Sequence, residues 1–299
     1  MFGYIYSKGM RKTKTCLLLV LFIPIMWDIC LPQEISTETD QAKLKTILKQ
    51  TADYCERLKR IALDFICHEN IQEENYSYKK TERISPADMA SATPFKKVDL
   101  KLKGKRIHSW VYDYQMIKKG DTLEEKRILL KEKDKEKHVE NAELKIKAFK
   151  AKFLVYGPVG FLSRYWQRHF NYEIIGHDEI NGKKTIIISA TPTEEREENY
   201  SFGKIWVDEQ EFSILKIEWD PRYIPGFEEK VTSGSGGIKR SLSWSVYYEV
   251  EKNRVRFPSR QIIEETFLTE AGKERPGYLV NFIYDNYRFF TVEVDVKYD

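Results

Sequence analysis

The feature that most constrains this chain is a series of short alternating segments between residues 172 and 296, separated by turn signals only a few residues long. Segments 172–177 and 185–190 are joined through Asn181-Gly182, a dipeptide that tolerates the two positive-φ positions of a tight hairpin. Segments 201–207 and 213–219 flank Asp208-Glu209-Gln210-Glu211. Segments 244–250, 257–268, 278–287 and 289–296 follow, with Asn253, Gly272 and Asn286 marking or flanking their turns. Parallel neighbours need crossovers of about a dozen residues or more, so these connections specify an antiparallel sheet. Several segments are apolar on both faces. Trp244, Val246, Tyr248 and Val250 line one side of theirs, with Tyr247 on the other. Both faces therefore need cover.

Upstream, residues 41–62 carry a helical period. Leu44, Ile47, Leu48, Thr51, Cys55, Leu58 and Ala62 recur at steps of three and four, opposite Lys43, Lys45, Lys49, Glu56 and Lys59. The polar face is not dominated by basic residues, so the stripe is expected to pack on the sheet rather than on a membrane. A strand begins at 65–71, and Pro86 and Pro94 bracket a loop. A long strand over 107–117 puts Trp110, Tyr112, Tyr114 and Met116 on one face. Lys119-Gly120-Asp121 turns it back into 125–130, and 131–137 is a charged tip of both signs. Gly157-Pro158-Val159-Gly160 opens a short helix over 161–167. The whole reads as an α+β chain, mainly antiparallel β. A curved half-barrel sheet with the N-terminal helix on its concave face meets the need for cover.

The first 33 residues read as a secretory signal, leaving 34–299 as a single domain. Arg11, Lys12 and Lys14 precede an apolar run over 16–27, too short for the ~20 residues that cross a bilayer. Anchoring through Cys30 is not expected, because Ile29 is bulky where a small residue belongs. The formal charge of the chain is +4; Lys8, Arg11, Lys12 and Lys14 against Asp28 place +3 of it in this leader, leaving +1. A nearly neutral remainder argues against nucleic acid as partner. The expected location is periplasmic or secreted. There an isolated pair, Cys55 and Cys67, admits a disulfide. On one continuous helix they would lie about 18 Å apart, so a bond needs a chain reversal between them. The alternative is two inert buried thiols.

Signatures of catalysis are missing. None of the five histidines, His68, His108, His138, His169 and His177, belongs to an H-E-x-x-H pair. No G-x-S-x-G occurs. The Gly-Ser run at 233–237 lacks the Lys-Ser/Thr pair of a phosphate loop and reads as a linker or lip. Acidic pairs such as Glu194-Glu195 and Glu197-Glu198 sit in a hydrophilic stretch where solvation is the default. No enzyme, cofactor or metal is expected.

Three stretches carry a resemblance. They are Tyr172-Glu-Ile-Ile-Gly-His-Asp-Glu-Ile-Asn-Gly-Lys-Lys-Thr-Ile-Ile-Ile, Gly203-Lys-Ile-Trp-Val-Asp-Glu-Gln-Glu-Phe-Ser-Ile-Leu-Lys-Ile-Glu and Phe257-Pro-Ser-Arg-Gln-Ile-Ile. In this order they resemble the LolA-like superfamily, which includes the LolA and LolB lipoprotein carriers and the MucB/RseB-type periplasmic sensors. The resemblance covers 172–267. It implies a half-barrel sheet over a helix, with an apolar cavity for lipid or lipoprotein acyl chains. The segment from 70 to 165 is additional, and no ligand-binding arginine of the family can be matched.

The candidate cavity residues are three rows: Trp110, Tyr112, Tyr114 and Met116; Ile186 and Ile188; Leu215, Ile217 and Trp219. At least two of the rows are expected to face a hydrophobic ligand; the competing reading makes all three ordinary core. Two functions follow, a carrier or sensor for lipid, lipoprotein or lipidated peptide, and an envelope interaction protein whose sheet is filled by its own side chains. An empty aromatic cavity would favour the first, a filled core the second.

Overall fold

The structure, a computed structural model, describes residues 37–61, 64–84, 89, 96–119, 122–146, 152–193, 202–221, 238–269 and 272–290. The leader with Cys30, the acidic pairs of 194–198 and the Gly-Ser run at 233–237 lie outside these residues, as do Ala62, Gly120 and Asp121.

Helix α1 (Thr37–Ile61) is followed by four strands, β1 (Asp64–Ile84), β2 (Lys96–Lys119), β3 (Thr122–Glu132) and β4 (Lys135–Val139). A short helical stretch comes next: a 3-10 turn at Leu154–Tyr156, α2 (Gly157–Leu162) and a second 3-10 turn at Trp166–His169. The rest is β5 (Phe170–Ile180), β6 (Lys183–Pro192), β7 (Gly203–Asp208), β8 (Ile214–Trp219), β9 (Lys239–Tyr247), β10 (Val250–Lys252), β11 (Val255–Phe257), β12 (Arg260–Leu268) and β13 (Glu274–Phe290). Among the described residues eleven strands form one open antiparallel sheet, in the order β4-β3-β2-β1-β13-β12-β9-β8-β7-β6-β5; β10 and β11 pair separately. This is the α+β, mainly antiparallel fold expected of the turn spacing. Register shifts interrupt the β1/β13, β1/β2, β2/β3, β5/β6, β7/β8 and β12/β13 ladders. Each such bulge adds local twist and bends its strand, which suits a half-barrel rather than a flat sheet.

Turn chemistry explains the hairpins. Asn181 and Gly182 both have positive φ. Lys133-Asp134 and Asn253-Arg254 adopt the same left-handed pair, each closing a two-residue hairpin. Two expectations are corrected. Segments 244–250 and 257–268 do not run through as single strands: the β10–β11 hairpin is inserted between β9 and β12. Asn286 does not turn the chain. It sits inside β13 with φ 53°, where Asn286 and Tyr287 stand opposite the single residue Cys67, one extra residue that makes a bulge. Asn is one of the few residues that takes this conformation cheaply, so the same local signal serves a bulge as readily as a turn.

One face of the sheet carries the main core. Ile47, Tyr54, Cys55 and Leu58 of α1 join a single cluster with Val155, Phe161 and Leu162 and with residues of β1, β2, β5 to β9, β12 and β13. Within the described residues the α1 stripe is the expected one with Ala52 and Tyr54 added. The Tyr54 hydroxyl accepts the Arg256 backbone N–H at 3.1 Å. Gln167 Nε2 donates to the Leu48 carbonyl at 2.7 Å and to the Leu162 carbonyl at 2.8 Å, tying α1 to the short helical stretch.

Candidate functional site

All three expected rows lie in the buried side of the sheet. Trp110, Tyr112, Tyr114 and Met116 pair in register with Ile71, Glu69, Cys67 and Phe65, so the eight share a face. Ile186 and Ile188 pair with Val207 and Ile205, and Ile205 in turn with Ile217. The row on β8 is broken. A register shift brings Ile214 level with Val207, and Ile214 belongs to the main core while Leu215, although buried, does not. Alternation alone would have put Leu215 in that row; the bulge exchanges the two.

The rows are brought together, but the space over them is filled. Phe161 packs on Trp219 and Phe170, with ring centroids at 6.2 and 5.8 Å. Trp219 stacks on Trp244 at 4.0 Å. Gly157 approaches so closely that an added Cβ would lie 2.5 Å from the Tyr248 hydroxyl and 3.4 Å from Ile217 and Trp219. That hydroxyl donates to the Leu154 carbonyl at 2.8 Å, and the Tyr172 hydroxyl donates to the Phe161 carbonyl. A gap bordered by Phe65, Tyr114, Leu154, Val155 and Tyr287 measures about 10 Å³, room for about one water. Among the described residues these rows are core.

A buried ionic cluster borders the same gap. Arg127 Nε donates to Glu69 Oε2 at 2.6 Å and Nη2 to Oε1 at 3.1 Å, a bidentate fork. Its guanidinium lies 4.6 Å from the Tyr114 ring centre. The Tyr284 hydroxyl also donates to Glu69, and the Tyr114 hydroxyl donates to Glu125 at 2.6 Å. Burial, followed by the nearby Glu125 carboxylate, raises the Tyr114 phenol well above its ordinary value, so it stays a neutral donor. Each buried charge here has an opposite partner, as a buried charge requires; the arrangement ties β1, β3 and β13 together and offers no nucleophile.

Cys55 and Cys67 are both free and buried; the disulfide alternative is corrected. The Cys55 thiol donates to the Pro158 carbonyl, while Cys67 sits in β1 opposite Tyr114. Burial raises both thiols far above their usual range, leaving them inert. Among the described residues no group of three or more His, Cys, Asp or Glu could hold a metal ion, and no helix is long and apolar enough to cross a membrane.

Among the described residues, open concavities lie elsewhere. Tyr76, Tyr78, Lys80, Leu100, Ile238, Arg240 and Phe267 line a groove of about 360 Å³. A neighbouring one of about 710 Å³ shares Tyr76, Tyr78 and Leu100 and adds Thr81, Asp99, Lys101, Leu102, Arg275 and Pro276. Both volumes are in the range of small-molecule sites. Leu100 and Ile238 form a second apolar cluster with Tyr78 and Phe267, separate from the main core. The Phe267 ring meets Tyr78 edge-on at 6.4 Å and lies over Gly277, where a Cβ would come within 2.6 Å of it. The Tyr78 hydroxyl donates to the Pro276 carbonyl at 2.8 Å, and Arg240 donates to Glu265. Lys105 and the Tyr76 hydroxyl hold the Glu74 carboxyl below its ordinary range. These residues were not among the candidates from sequence. The available signal was alternation in a lysine-rich stretch, Tyr76, Tyr78 and Lys80 against Leu100 and Leu102.

The motif residues of 172–219 do structural work. Gly203 is obligatory, because a Cβ would lie 2.0 Å from the Glu218 carbonyl oxygen. Trp206 Nε1 donates to Asp178 at 2.9 Å, and Lys216 lies over its ring at 4.0 Å. Asp208 Oδ1 accepts the backbone N–H groups of Gln210 and Glu211, the Asx-type contact that shapes a turn.

A family described as "-like: Uncharacterized protein" matches residues 161–220, the stretch that holds these hairpins. No curated protein matches. Among solved structures, the chain is similar to a putative outer membrane lipoprotein-sorting protein domain from Vibrio parahaemolyticus, at 10% identity and TM-score 0.36, covering 83% of this chain and 95% of that one. It is also similar to a LolA superfamily protein from Nitrosomonas europaea (10%, TM-score 0.33, 82% and 94%) and to the MucA/MucB complex of Pseudomonas aeruginosa (7%, TM-score 0.23, 84% and 100%). These are the groups that the three sequence stretches resemble.

Proposed function

We propose that this is a non-enzymatic binding protein of the cell envelope, taking the apolar part of a lipid, lipoprotein or lipidated peptide in the groove between Tyr78, Leu100, Ile238 and Phe267. The observation that supports this is the contrast between a groove of about 360 Å³ and an interior gap of about 10 Å³. Apolar walls supply affinity at ~0.8 kcal/mol gross per buried methylene. Lys80 and Arg240 at the rim suit an anionic head.

The test is titration of the mature chain with a fluorescent acyl reporter. Micromolar binding is expected, about −8 kcal/mol, weakened tenfold or more in Tyr78→Ala/Phe267→Ala, while the main cooperative unfolding transition of the sheet is kept. Reporter binding that survives this double substitution rules out the groove. The second reading, an envelope interaction protein with a self-filled sheet, draws on the packed core over Trp219 and Tyr114; a folded protein that binds no reporter would leave it standing. Export is part of both readings. The mature chain is expected to begin near residues 28–34, and N-terminal sequencing that found Lys14 retained in the envelope fraction would refute cleavage.

A further inference from the structure

β1 and β2 run on past the rest of the sheet. β13 accompanies β1 only as far as Asn75, opposite Tyr278. β3 accompanies β2 only between Lys119 and Trp110, the latter opposite Glu132. From Tyr76 to Ile84 and from Lys96 to Lys105, the two strands pair in register only with each other among the described residues. At ~3.3 Å per residue the nine residues of β1 reach roughly 30 Å. A two-stranded ribbon is marginal in water by itself. Here its base is held by Leu100 against Ile238 and by Tyr78 against Phe267.

The ribbon is strongly basic. The stretches 76–84 and 96–105 hold eight Lys or Arg against two acids, Glu82 and Asp99; Lys79, Lys80, Lys101, Lys103 and Lys105, with Arg106 at the base, are exposed. Outside the leader the whole chain nets only +1, so this is a local concentration of charge. Lys105 pairs with Glu74 at 2.8 Å. Lys79 stands directly opposite Lys101, a like-charge cross-strand pair that costs stability. The side chains alternate: Tyr78 is level with Leu102 and Lys80 with Leu100 on one face, while Lys79 and Lys101 share the other. Leu102 is 55% exposed, and Met89, in the connection between the strands, is 69% exposed.

We propose that this ribbon docks on an anionic lipid surface, the face that carries Lys79 and Lys101 lying against headgroup phosphates. Charge complementarity selects the occupant: exposed cations clustered along an extended ribbon match a polyanionic plane of headgroups. The docking does not depend on a ligand in the groove. It is tested by flotation of the mature chain with vesicles of phosphatidylglycerol and phosphatidylcholine, against vesicles of phosphatidylcholine alone. Binding to the anionic vesicles only, falling steeply with salt, is expected. Lys79→Gln/Lys103→Gln/Arg106→Gln should weaken it about a hundredfold, at about fivefold per charge. None of the three lines the groove, so acyl-reporter binding should persist. The control Lys131→Gln/Lys135→Gln/Lys137→Gln, at the mixed-charge β3–β4 tip, should float like the wild type. Equal binding to neutral vesicles, a triple variant that floats unchanged, or a control that loses binding equally would each overturn the proposal. So would binding to the soluble polyanion heparin without binding to vesicles.

Discussion

Gly203 and Asp208 set the geometry of one hairpin by different means. At Gly203 the constraint is steric. A methyl group 2.0 Å from the Glu218 carbonyl oxygen would separate β7 from β8, so Gly203→Ala should cost about 3 kcal/mol or more, read from urea unfolding. At Asp208 it is electrostatic. Burial alone would raise its carboxyl, but the N–H groups of Glu211 and Gln210 and the Lys183 ammonium outweigh that and leave it below the ordinary value. Lys183 and Arg256 likewise lower Glu211. A lowered folded value means the stabilisation is complete above the unfolded values of ~3.9 and ~4.3 and is lost as pH falls through the folded ones. The urea midpoint should therefore drop below about pH 4, and the gap between wild type and Asp208→Asn should narrow there. A gap of the same size at pH 3 and pH 6 would contradict this.

At the scale of elements, α1 is an amphipathic helix whose stripe is read correctly from its period. Leu58 is fully buried within the main core. Leu58→Asp should destabilise by several kcal/mol, because an unpaired charge is expensive there; a melting temperature unchanged within a degree would place the helix off the sheet. The thiols give a second reading of the same packing. With Cys55 bonded to the Pro158 carbonyl and Cys67 inside the β1–β2 ladder, neither should react with a thiol reagent in the native state. Both should react at once in denaturant. Fast native labelling of either would mean that α1 or β1 opens locally.

For the whole molecule, the question is where an apolar ligand can go. Among the described residues the covered face of the sheet is packed by the stretch between Phe153 and Phe170, and the groove beside the β1–β2 ribbon is open. Trp219→Ala should then behave as a core truncation, losing roughly 3–5 kcal/mol, while reporter affinity of the protein still folded stays as in the wild type. A Trp219→Ala protein of native stability with tenfold weaker reporter binding would move the site back under the helix.

The antiparallel class, the hairpins at Asn181-Gly182 and Asp208, and the buried stripe of α1 were determined by the sequence itself. Each is local: a turn dipeptide or a period fixes conformation through neighbours a few residues away. The tertiary structure decided what those elements enclose. Alternation placed Trp110, Tyr114 and Trp219 on one face, but nothing in the strands says whether a face meets a ligand or Phe161. Bulges, set by contacts with the neighbouring strand, exchanged Leu215 for Ile214 and turned Asn286 from a turn residue into an irregularity inside β13. The groove joins Tyr78, Leu100, Ile238 and Phe267 from four separate stretches of the chain, and only the strand order β2-β1-β13-β12-β9 brings them to one place. The reason is physical: backbone preference is settled within a few residues, whereas packing depends on which distant surfaces meet.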